Sequence, residues 1–311
     1  MEPMTIEMTP TVEPVAATPT APQRRSLGAT GWVVCVLTLG LVLVAVFAPL
    51  LAPYDPAALV GPPRQAPGGA FLFGTDQLGR DVLSRTLYGA RQTLVIAVLS
   101  AVGAAVVGVP LGMLAGYVGR WGGTVIMRLM DVLLAFPGLL LALVVVTVRG
   151  PGMVTVILAV GISFTPVYAR VIYGSTQRIR NQEYVSAARV VGCGPWRIMS
   201  RDVLPVVLTE VVVLLSSAIG WTTLLAATLN FLGFGVRPPT PEWGADLGAG
   251  STYLSQAWWI SVAPGLAITA TILLANFLGD VMASLLEPSE ATAGRSTKRA
   301  AQMPQITTNE E

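Results

Sequence analysis

Asp131, Asn276 and Asp280 stand inside or at the ends of long apolar runs, and Arg189, Arg197 and Arg201 cluster in a short stretch between two such runs, EYVSAARVVGCGPWRIMSRDVLP (183–205). Polar groups at membrane depth are costly. They therefore either line a pathway or hydrogen-bond helix to helix, and the sequence leaves both roles open for these three. Other chemistries are excluded. With no histidine in the chain there is no HExxH zinc site, no Ser-His-Asp triad and no imidazole base. Cys35 and Cys193 suit neither a disulfide framework nor a CxxC motif. The single lysine, Lys298, follows no GxxxxGK[ST] pattern, so nucleotide energy must come from another subunit.

The elements that must position these residues are membrane spans. Of 311 residues 53% are hydrophobic and 12% charged, with a mean hydropathy of +0.67. A soluble domain carries about 25% charge, so the chain reads as an all-α polytopic membrane protein. A net charge of +2 gives no reason to expect a nucleic-acid partner. Six runs reach the roughly 20 apolar residues that cross a bilayer: 31–52, 92–117, 124–147, 152–173, 206–230 and 258–284. Residues 1–26 and 289–311 read as disordered tails. The first span and an extracytoplasmic segment fill 27–90, and a core fills 91–288 with a cytosolic loop at 174–205. Thirteen Arg and Lys residues fall on the side of both termini and six on the other, so both termini are expected in the cytoplasm.

Several local features refine this picture. Ala104, Gly108, Gly112 and Gly116 recur every four residues and align a small-residue strip along the second span. Pro137, after Phe136, is expected to kink the third. Asp131 and Asp280 fall near the cytosolic ends of spans three and six. In 53–90, Asp76 is expected to cap an interfacial helix starting at 77. Gly233 and Gly235 offer bending points where the fifth span leaves the bilayer, and Trp258-Trp259 suit the headgroup belt.

Within 183–205, Asn181 is expected to cap a first short helix with Glu183 in its opening turn, and Gly192 to end it in a left-handed conformation. Gly194-Pro195 opens a second helix, and Pro205 ends it or bends it into the fifth span. A DNA-reading helix-turn-helix is rejected, because a unit tied at both ends to the bilayer surface could hardly track a groove. A basic loop held near anionic lipid explains the arginines but not the Ala187-Ala188 pair or the Gly192 break. A docking element explains all of them.

Ala187-Ala188, Gly192 and Leu204-Pro205 resemble the EAA loop of binding-protein-dependent ABC importer permeases. The likeness continues through FGTDQLGRDVLSR (73–85), MRLMDVLLAFPGLLLAL (127–143), LNFLGFGVRPPTPEWG (229–244) and PGLAITATILLANFLGD (264–280). Over residues 30–288 the chain is similar to the C-type permease of dipeptide and oligopeptide importers. Ser186 stands where that family has Glu, with Glu183 one turn earlier, and Asp202 stands where it has His or an apolar residue.

The resemblance implies a type I ABC importer permease fold of six transmembrane helices in the bacterial inner membrane. It also implies a heterodimer with a homologous B-type permease, two ATP-binding subunits that hold ATP and Mg, and an extracytoplasmic peptide-binding protein. This chain would bind no cofactor or metal. Glu183, Ser186, Ala187, Ala188, Arg189, Gly192, Arg197, Arg201, Leu204 and Pro205 would form the ATPase-coupling element. Asp131, Pro137, Asn276 and Asp280 would line the pathway or pack the helices. Nickel or another small solute is an alternative cargo. An ion-coupled secondary transporter is a rival of another class, disfavoured because the acidic residues lie mostly at span ends and no clear repeat is visible.

Overall fold

Close backbone approach in lipid requires small side chains, and the strip on the second span meets that requirement. The structure, a computed structural model, describes residues 28–286; the tails expected at 1–26 and 289–311 lie outside the described residues, as do Arg24, Arg25, Arg295, Lys298 and Arg299. The helices are α1 (Ala29–Val46), α2 (Ala48–Leu51), α3 (Val82–Val118), α4 (Arg120–Ala135), α5 (Gly138–Arg149), α6 (Met153–Arg180), α7 (Glu183–Val190), α8 (Pro195–Ile198), α9 (Leu204–Phe231), α10 (Trp243–Ser251) and α11 (Trp259–Leu286). A π-helical turn, Met199–Val203, joins α8 to α9. Among the described residues the fold is all-α, with only two isolated β-bridges.

The α3–α6 contact is the most extensive in the bundle. A Cβ placed on Gly108 would lie 2.6 Å from the Thr165 carbonyl oxygen, and one on Gly112 2.5 Å from that of Ala169. One on Gly116 would lie 2.7 Å from Thr176 Cβ. Contacts advance in step along both helices, so α3 and α6 run parallel. α9 and α11 pack antiparallel, with Gly279 against Ser217 and Gly220 against Asn276.

Among the described residues, five helices are long and apolar enough to span a membrane, and a sixth span exists if the bent pair α4–α5 is counted as one. The expected kink at Pro137 is a break: the two pieces meet at 91°. Proline drives the preceding residue out of the α region, and Phe136 sits at φ −89°, ψ 135°. Elsewhere the boundaries differ from expectation. No helix starts at 77; α3 begins at Val82, capped by Asp81, whose carboxylate accepts the Ser84 N–H at 2.8 Å. Asp76 instead accepts the Leu78 and Arg80 N–H groups at 2.8 and 2.9 Å in a tight turn. The interfacial segment and the second span are thus one 37-residue helix. Likewise α6 extends to Arg180, because Ser175, Thr176 and Ile179 keep its buried face going beyond the apolar run.

At one end of the bundle, here the cap end, residues 53–81 fold over α10 and the start of α3. At the other, the hairpin end, α7 and α8 connect α6 to α9. Gly112→Leu is expected to destabilise the protein by about 1–3 kcal/mol, the usual cost of overpacking. Thermal unfolding of the purified protein in detergent checks this, with Gly103→Leu as control, since no atom lies within 4 Å of a Cβ there.

Candidate functional site: the hairpin of α7 and α8

Two structural devices shape the hairpin. Gly192 has φ +86°; the Gly192 N–H donates to the Arg189 carbonyl and the Cys193 N–H to the Ala188 carbonyl, each at 3.0 Å. This is a Schellman motif, and it stops α7 after two turns. At the other side, Pro205 has no N–H to donate and its ring crowds the carbonyl four residues back. The helix accommodates this by widening into the π turn at Met199–Val203, where the Leu204 N–H reaches the Met199 carbonyl. Consequently α8 is no separate second helix. From Pro195 to Phe231 the chain is one helical rod of 37 residues. Nor does Asn181 cap α7: it closes α6, and the N-cap is Gln182, in an extended conformation with no side-chain bond.

Burial divides the hairpin into an inner and an outer face. Val185, Ile198 and Val203 are each 0% exposed and join the core formed by Ala101, Val109, Tyr168, Ile172 and Val207 of α3, α6 and α9. Ala188, Cys193, Met199 and Leu204 pack against the same core. Outward point Tyr184, Val190, Val191 and Trp196, the last three 88%, 83% and 79% exposed. Glu183, Ser186, Ala187, Gly192, Arg197, Arg201 and Pro205 are also exposed. Of the Ala pair, Ala187 faces out and Ala188 in. Arg189 lies with its guanidinium 5.7 Å from the Tyr117 ring centroid, tying α7 back to α3. Sequence reading missed the exposed quartet because a valine or tryptophan on a short segment looks like core until its face is known.

The membrane-depth candidates do not converge. Asp131 of α4 pairs with Arg170 of α6, both partly exposed, which ties the outer piece of the broken span to α6. Asn276 Nδ2 donates to the Ile272 carbonyl at 3.0 Å within α11, beside Gly220 of α9. Asp280 is exposed, and Pro137 marks the break. Near the hairpin, Arg178 of α6 and Glu210 of α9 pair at 3.3 Å, with Ser175 also donating to Glu210.

At the cap end the polar groups do converge. Arg85 pairs with Asp246 of α10, lies 3.9 Å from Asp76 and donates to the carbonyls of Pro56 and Pro239 at 3.0 and 3.2 Å. Glu242, 0% exposed, accepts from Thr93 Oγ1 at 2.9 Å and from the Ala245 N–H at 2.8 Å, the latter capping α10. Trp243 donates its indole N–H to the Thr86 carbonyl at 2.7 Å. Of the two tryptophans expected at the headgroup belt, Trp258 is exposed, but Trp259 is buried and donates to the Thr75 carbonyl at 3.2 Å. Gly233 has the φ of +83° that a turn after α9 needs. Gly235 serves packing, since a Cβ there would overlap the Asn230 amide.

A bundle of spans with a surface hairpin seated at one end and a folded cap at the other is the architecture of a polytopic membrane protein. Residues 108–291 match the family of binding-protein-dependent transport system inner membrane components. The chain is 41% identical to the di/tripeptide transport system permease protein DppC of Pseudomonas aeruginosa, over 84% of this chain and 88% of that one. It is 40% identical to the glutathione transport system permease protein GsiD of Pectobacterium atrosepticum, over 81% and 85%. With the dipeptide permease DppC of Haemophilus influenzae the identity is 36%, over 81% and 88%. Among solved structures, a chain of the inward-facing MetNI methionine ABC transporter matches with a TM-score of 0.54 at 19% identity, covering 66% of this chain and 96% of that one.

The chain belongs to the binding-protein-dependent transport system inner membrane component family. It is an ABC importer permease, a translocation subunit whose ATP hydrolysis lies in separate subunits, and not the ion-coupled carrier that stood as rival.

Burial pushes the Glu242 carboxyl up from 4.5 to about 7, against the hydrogen bonds from Ala245, Gly244 and Thr93 that favour its charge. Since the folded pKa exceeds the unfolded one, the folded state holds the proton longer. Stability therefore falls as pH rises from about 4.5 to about 7, and the loss is complete above that. Glu242→Gln is expected to lose this part of the decline. Unfolding midpoints in detergent between pH 5 and pH 8 check it.

Proposed function

We propose that this permease imports dipeptides or oligopeptides, driven through the α7–α8 hairpin by an ATP-hydrolysing partner. The observation that carries the coupling role is the contrast across the hairpin: an exposed apolar quartet on one side, and side chains with no exposure on the other. Soluble surfaces rarely leave such a patch uncovered without a binding purpose. Here it sits on an element that cannot shift without α3, α6 and α9. A groove in the ATPase that takes Val190, Val191 and Trp196 would bear directly on three spans. Ala187 and Gly192 leave room for close approach, while Arg197 and Arg201 are exposed to orient the contact.

The full assembly in this reading is a heterodimer with a B-type permease, two ATP-binding subunits carrying ATP and Mg, and an extracytoplasmic peptide-binding protein. It sits in the bacterial inner membrane. The hairpin end and both termini are cytoplasmic, as the arginine distribution favours, and the cap end faces the binding protein. Closure of the ATPases would swing the spans between inward- and outward-facing states. The peptide cargo is supported by the di/tripeptide and dipeptide permeases among the relatives. The similarity to a glutathione permease supports a second reading, a small modified peptide as cargo. Mass spectrometry of the ligand retained by the co-purified binding protein separates the two.

Val190→Asp and Trp196→Asp are expected to leave membrane assembly intact, because both side chains are exposed. Uptake should fall about tenfold or more, as for a lost interface anchor. Gly192→Val should do the same, because a β-branched residue is strained at the φ of +86°. Uptake in vesicles, measured with ATPase activity and permease abundance, checks all three; unchanged uptake at normal abundance contradicts the coupling role.

A further inference from the structure

A cavity of about 540 Å³ opens between α1, α3, α9 and α11, apart from the hairpin; its Ala45 and Leu94 pack in one cluster with Trp243 of the cap. Its walls are branched aliphatics such as Leu41, Val46, Leu94, Val98, Leu274 and Leu278. Its three hydroxyl side chains are satisfied within their own helices: Thr38 donates to the Val34 carbonyl, Ser216 to that of Val212 and Thr271 to that of Ala267. The walls therefore ask nothing polar of an occupant.

One charge stands on this lining. Arg91 is exposed and takes part in none of the ion pairs or hydrogen bonds among the described residues. It lies nine residues into α3, about 14 Å along the axis from Val82. Helical side chains tilt toward the N-terminus, so its guanidinium is carried toward the cap end, where long basic side chains reach the headgroup layer. We propose that the cavity is a phospholipid site: one acyl chain fills the groove and Arg91 binds the phosphate in the leaflet at the cap end.

The occupant is a lipid rather than a neighbouring helix on two grounds. An unpaired cation at the groove's edge complements a phosphodiester. The walls are also dominated by large aliphatics, whereas close helix approach in this molecule uses glycines, such as Gly112 of α3 and Gly279 of α11. Since the site lies on α1, α3, α9 and α11, an occupied groove would link the first span to the core.

The test uses the intact importer complex in phosphatidylethanolamine–phosphatidylglycerol vesicles doped with a phospholipid carrying a diazirine on its acyl chain. Photolabelling is expected to concentrate on peptides from α1, α3 and α11 that line the groove. It should fall about tenfold in Arg91→Glu, the loss of one charge-assisted contact, while labelling by a diazirine diacylglycerol, which lacks the phosphate, is unchanged. Val98→Trp, which fills the groove, should reduce both. Even labelling over all lipid-facing surfaces, indifferent to these variants, means annular lipid only and overturns the site. An unlabelled groove, crosslinked instead to another subunit, overturns it equally.

Discussion

The hairpin is held by burial: Val185, Ile198 and Val203 anchor it to the bundle. Each is wholly buried among residues of α3, α6 and α9. The Schellman stop at Gly192 folds α7 back, and the π turn before Pro205 lets α8 run on into α9 without a flexible joint. In the proposed coupling, a load on the outer face of the hairpin would pass to the fifth span along its own axis and to the second and fourth through packing. Arg189 over Tyr117 and Arg180, which donates to the Tyr117 carbonyl at 3.0 Å, fasten the same corner to the end of α3.

Two further arrangements hold α3 in place. Parallel α3 and α6 meet through glycines, with carbonyls so near that no larger residue fits. The cap locks the far end of α3 to α10 through Arg85, Asp246 and Glu242, where burial makes any unpaired charge expensive. α4 and α5 meet at 91°; α5 buries Ala142 and Val146 in one cluster with Val156, Ala159 and Val160 of α6, and α4 adds the partly exposed ion pair Asp131–Arg170.

Much of this was legible in the sequence, because the bilayer imposes length and polarity on every span. The small-residue strip, the Gly192 stop and the Pro195 start rest on local rules and are found in place. What was not legible depends on partners far along the chain. Thr93 and Glu242 are 149 residues apart, so nothing local marked Glu242 as buried or Arg85 as paired. Arg178 and Arg180 of α6 read as loop because hydropathy weighs charge and ignores sidedness. Asp76 read as a cap because an aspartate before an amphipathic pattern usually is one, yet Asp81 holds that place. The exposed quartet on the hairpin emerged only once the buried face was known.

The most direct test is site-specific photocrosslinking from position 190 in the assembled importer under ATP turnover. A photoreactive residue replacing Val190 should form its main adduct with an ATP-hydrolysing subunit, at a yield that changes when nucleotide is locked in place. Adducts with lipid alone, or none with a nucleotide-hydrolysing partner, would contradict the central claim that the hairpin's outer face is where the motor grips.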